Sequence, residues 1–130
     1  MTNPASRRRV CPPQTRHDRA MNRVFLVLTT VGSAGQAREL AREMVSRGLA
    51  ACVQVSAVDS LYRWQGVLHE EPEWRLLFKT REGVAPALMA AIRERHPYEL
   101  PAICGWPAAL ADADFARWVD TQTAGSSGPR

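Results

Sequence analysis

Two prolines four residues apart, Pro97 and Pro101, constrain this chain more than any other feature. Ahead of them Val84, Leu88, Ala91 and Ile92 recur at helical spacing. Pro97 disfavours helical geometry at the residue before it, so that helix must end at His96. Pro101 then fixes its own φ just ahead of the apolar run 102–106. The corner His96-Pro97-Tyr98-Glu99-Leu100-Pro101 therefore sets an imidazole, a phenol and a carboxylate within four residues of stiff backbone. A histidine so placed is a metal ligand or polar anchor, or it caps the last carbonyls of the helix.

The remaining elements follow from periodicity. Val24 to Thr30 is a continuous apolar run of β formers, the pattern of a strand buried on both faces. Ser33 followed by Gln36 is a capping box, and Ala37, Leu40, Ala41, Met44 and Val45 then form one apolar stripe. Gly48 closes that helix where a left-handed residue is favoured. Leu49 to Ser56 reads as a second strand and Asp59 to Trp64 as a third, with Gln65-Gly66 as the turn of a hairpin. His69-Glu70-Glu71-Pro72-Glu73 reads as a loop or a charge-protected strand edge, and Trp74 to Thr80 as another strand. A helix from about Gly83 to Arg95 tolerates Pro86 in its first turn. Residues 102–106 make a last strand, and Asp112 or Asp114 opens a closing helix offering Phe115, Trp118 and Val119. Two βαβ halves around an antiparallel sheet define an α+β, ferredoxin-like (split βαβ) single domain with an extended β-hairpin. That plan carries no function by itself.

Charge is unevenly placed. Of the net charge of +4, residues 1–23 hold six Arg against one Asp, which leaves the rest of the chain at −1. The basicity belongs to the tail, so nucleic acid is not the expected partner of the body. With Pro4, Pro12 and Pro13 and few apolar residues, 1–22 reads as a disordered basic extension, and Met21 as a candidate functional start. The domain is expected over 23–121, with 122–130 a flexible tail. No apolar run approaches the ~20 residues of a membrane span, and no secretory-type apolar segment opens the chain, so a cytoplasmic location without membrane contact is expected. Cys11, Cys52 and Cys104 lack the spacing of a disulfide framework or a structural zinc site.

Five segments resemble the CutA divalent-cation-tolerance family. They are Leu49-Ala50-Ala51-Cys52-Val53, Ser60-Leu61-Tyr62-Arg63-Trp64-Gln65-Gly66, Lys79-Thr80, the His96–Pro101 corner and the late Trp118. The similarity covers the body from Val24 to about Val119, and each segment falls where periodicity places the matching element. It implies a homotrimer similar in architecture to PII-type regulators, linked to divalent metal tolerance and copper binding, with no established catalysis. Gln65 stands where the family's turn usually has Glu, Val67 where Lys is common, and Phe115 where Tyr is frequent.

The resemblance carries Cys52 and His96 over as metal ligands, with Glu99 adding a carboxylate oxygen; thiolate and imidazole suit copper or zinc. Each has a plainer alternative. Cys52 lies among small apolar residues, where a thiol packs as a buried hydrophobe. His96 near a helix C-terminus is favoured without any metal. Glu99 is equally a surface charge or a partner for Arg93 or Arg95. Lys79 ends a strand as an anion contact, a solvated lysine or the partner of a hairpin glutamate. Trp64, Trp74, Trp106 and Trp118 read as core and trimer contacts, and Tyr62 and Tyr98 as cleft donors or packing residues with a polar end. The rival to metal binding is a PII-like regulatory trimer that takes a small anion or nucleotide and a protein partner.

Overall fold

A computed structural model describes residues 23–123. The expected N-terminal extension, and the expected tail from residue 124 on, lie outside the described residues. The elements run β1 (Val24–Val31), α1 (Ala34–Ser46), β2 (Cys52–Trp64), β3 (Val67–Arg81), α2 (Ala85–Arg95), β4 (Ile103–Pro107) and α3 (Ala113–Thr123). The four strands form one sheet in the order β2-β3-β1-β4, antiparallel at every pairing. This is the ferredoxin-like plan expected from the sequence.

Local chemistry accounts for the boundaries. Ser33 Oγ accepts the amide of Gln36 at 3.2 Å and opens α1. Gly48 leaves that helix at φ 71°, a left-handed geometry that costs an L side chain energy. Helix α2 carries proline in its first turn and stops at His96, whose φ of −70° and ψ of 134° are the extended values that Pro97 imposes.

Two expected boundaries differ. The second and third strands are one 13-residue strand, and the acidic run is no loop but part of the 15-residue β3. The register is unbroken from Cys52 opposite Lys79 to Trp64 opposite Val67. Pairing with β1 covers only 74–81 of β3, so residues 58–73 project as a two-stranded ribbon. Glu70 and Glu71 lie exposed on that ribbon, whereas Glu73 at its base is buried. The other shift is small: α3 continues through Gln122 to Thr123.

The sheet buries one face. Val27, Val31, Leu76 and Phe78 pack with Leu40, Met44, Leu88 and Ile92 from the two helices, all but Leu40 at 1% exposure or less. Each such side chain contributes about 1.5–3 kcal/mol by leaving water. On the opposite face, α3 covers only one end, where Val119 meets Val24 and Ala51 beside Phe115 and Trp118. By register, Leu26, Leu28, Leu77, Cys104 and Trp106 share the rest of that face, and Trp106 stays 43% exposed.

Candidate functional site

The His96 corner docks on the C-terminal end of β1. The ring Nε2 of His96 lies 2.8 Å from the Thr30 carbonyl oxygen and 3.1 Å from Thr29 Oγ1. A carbonyl can only accept, so Nε2 carries the proton, as assigned from its partners. Nδ1 is then the acceptor, and it receives the backbone N–H of Tyr98 at 3.1 Å. Burial lowers the pKa of His96 below 6.5; Arg93 adds to that, while the Thr30 carbonyl and Glu73 oppose it. The imidazole is neutral at pH 7, with both nitrogens engaged.

Tyr98 turns its ring against His96, centroids 4.9 Å apart and tilted 60°. Its hydroxyl donates to Glu73 Oε2 at 2.6 Å. Burial first, then the bond and the charge of Glu73, pushes the phenol pKa well up, so Tyr98 is a donor throughout the physiological range. Glu73 is 9% exposed and sits opposite Val58, at the last position of β3 before its pairing with β1 begins. Gly32 faces the same hydroxyl, and a Cβ there would lie 3.3 Å from it. Four register pairs further out, Tyr62 repeats the arrangement. Its hydroxyl donates to Glu71 and its ring stacks on His69 at 5.2 Å and 12°. The bond to Glu71 is also the leading reason that the Tyr62 pKa is raised.

The three expected ligands occupy different places. His96 is at the corner, Glu99 is exposed three residues on, and Cys52 opens β2 opposite Lys79, which pairs across to Leu26 near the other end of β1. Cys52 is half-buried, with its Sγ 4.0 Å from Gln54 Nε2. Among the described residues, no three His, Cys, Asp or Glu side chains come together to hold a metal ion. Arg95 ion-pairs with Glu43 of α1 at 2.9 Å, so it is not the partner of Glu99. Lys79 sends its ammonium over the Phe115 ring at 6.0 Å in place of a hairpin glutamate. Trp74 packs half-buried on the core, Trp118 stacks on Phe115 at 6.0 Å, and Trp64 remains exposed. Cys104 is exposed on the open sheet face. Sequence reasoning passed over Glu73, Thr29, Thr30 and Gly32. Only the position of Glu73 beside a strong strand hinted at partial burial.

Comparison with known proteins adds three findings. Residues 25–122 match the family described as CutA1 divalent ion tolerance protein. The divalent-cation tolerance protein CutA of Thermus thermophilus is 38% identical over 99 residues, covering 75% of this chain and 96% of its own. A solved structure of CutA from Synechococcus elongatus superposes with a TM-score of 0.76 at 33% identity, covering 78% of this chain and 91% of that one.

Proposed function

This chain belongs to the CutA1 divalent ion tolerance family, and on that premise we propose that it acts in divalent cation tolerance as a non-catalytic homotrimer that binds a copper-type ion. The observation that carries the assembly is the projecting ribbon. Leu61, Tyr62, Trp64, Val67 and Leu68 are 40–66% exposed on it, and β2 pairs on one side only within the chain. A lone two-stranded ribbon is marginal in water, and an outer strand with apolar side chains gains by pairing with another copy. Trp106 and Cys104 on the open sheet face offer a second apolar contact.

Within one chain His96, Cys52 and Glu99 do not fit a metal, because they do not converge and both nitrogens of His96 are engaged. A site using them is therefore shared between copies, with His96 Nδ1 released from the Tyr98 amide. Imidazole and thiolate would supply the softer ligands and Glu99 an oxygen.

A copper competition titration against a chelator, run beside light scattering on the full chain and on His96→Ala and Cys52→Ala, tests both halves. A trimeric mass with copper affinity that falls in either variant supports the reading. A monomer at micromolar concentration removes the assembly, and affinity indifferent to both residues removes the site. Thermal stabilisation by nucleotides but not by metal ions would favour the regulatory trimer instead.

A further inference from the structure

The polar contacts at the corner form a closed circuit, of which the proposed metal site takes only the His96 Nδ1 link and leaves the Tyr98–Glu73 bond unused. The Thr30 carbonyl accepts from His96, His96 accepts from the Tyr98 amide, and the Tyr98 hydroxyl donates to Glu73. Glu73 is bonded through the chain to Trp74, and Trp74 pairs with Val31, the residue after Thr30. The circuit encloses the one point where the ribbon leaves the sheet. Beyond it, residues 67–73 of β3 pair only with β2.

We propose that Tyr98 is a positioning residue that latches the base of the β2–β3 ribbon to the α2–β4 corner, fixing the direction in which the ribbon projects. Three observations carry this. Glu73 as a residue is only 9% exposed, so an unmade bond at its carboxylate leaves a polar group with little access to water. The 2.6 Å phenol–carboxylate bond is of the strong, charge-assisted kind. A Cβ at Gly32 would lie 3.3 Å from the phenol oxygen, so glycine there gives the hydroxyl its room without a tight contact. The Tyr62–Glu71 pair and the Tyr62–His69 stack then stiffen the same face outward, so an orientation set at Glu73 is carried towards the tip. Only its consequence for subunit contact rests on the assembly reading.

Hydrogen exchange on the full chain, read by mass spectrometry for wild type, Tyr98→Phe, Glu73→Ala and the double variant, tests the latch. Tyr98→Phe should speed exchange over 58–73 by at least about tenfold, the scale of one hydrogen bond to a charged group, with α1 unchanged. Glu73→Ala should do the same, and the double variant should lose no more than either single change. Unaltered ribbon exchange, additive losses, or equal loss throughout the chain would overturn the proposal. Should Tyr98→Phe fail to fold, Glu73→Gln serves, since it keeps the shape and removes the charge that strengthens the bond; ribbon exchange at the wild-type rate in that variant overturns the latch as well. Sedimentation separates the two readings. An assembled wild type beside a Tyr98→Phe protein that dissociates at about tenfold higher concentration supports both. A monomeric wild type sinks the assembly alone and leaves the latch to the exchange data.

Discussion

His96 donates from Nε2 to the Thr30 carbonyl at 2.8 Å, which ties the end of α2 to the end of β1 through a neutral ring. Its lowered pKa, caused mainly by burial, gives stability a defined pH dependence. As pH falls through 6.5, the unfolded chain takes up the proton before the native one does. The native advantage is therefore complete above 6.5 and is lost progressively as pH drops towards the lowered native value. Melting temperatures of wild type and His96→Gln, compared from about pH 5 to 8, should converge on the acid side. A wild-type-minus-variant difference that is constant with pH would contradict this.

Gly105 has less room for a side chain than Gly32, Gly35 or Gly66. A Cβ there would lie 2.6 Å from the Leu26 carbonyl oxygen and 2.7 Å from Phe25 Cε1. Gly105→Ala should cost about 1–3 kcal/mol in urea unfolding, because the backbone oxygen cannot step aside as the ring can. Adding Phe25→Leu should recover only part of that loss.

Gln65 occupies the left-handed region at φ 51°, followed by Gly66 at φ 80°, the pair of positive values of a type I′ hairpin turn. Asparagine tolerates that conformation better than glutamine. Gln65→Asn should stabilise the protein by a few tenths to about 1 kcal/mol, read as a raised denaturation midpoint at unchanged m-value.

Cys104 is exposed on the open sheet face and Cys52 is half-buried. In a Cys11→Ser background, a thiol reagent should label Cys104 faster than Cys52 in dilute protein. Labelling of Cys104 should then slow as concentration rises through the assembly range. A rate independent of concentration would place that face outside any contact between copies.

Much of the fold was legible because it is written in local patterns. The Ser33 cap, the stripe from Ala37 to Val45, the Pro97 stop and the Gln65-Gly66 turn each act within a few residues. The fusion of two expected strands into β2 was not, because a continuous ladder depends on a partner that is itself long enough, and β3 supplies 15 residues. The site was legible only in part. The corner and its histidine stood out from the prolines. The role of Glu73 depends on a phenol 25 positions away, and within its own acidic run only its place beside Trp74 sets it apart from Glu70 and Glu71. The lining up of His96 with Thr30 depends likewise on a docking across 66 positions that no periodicity encodes.

Val119 packs on Val24, and Arg81 reaches Asp120 at 3.4 Å, so the first strand and the last helix meet at one end of the sheet while Val67 and the turn lie at the other. Some 45 Å of β3 separates those poles, at about 3.3 Å per residue. Any fused tag, tether or additional module joined beside residue 23 or residue 123 would hang from the same pole. The opposite pole would stay clear, and the protein could be immobilised by either end with its ribbon still presented to solution.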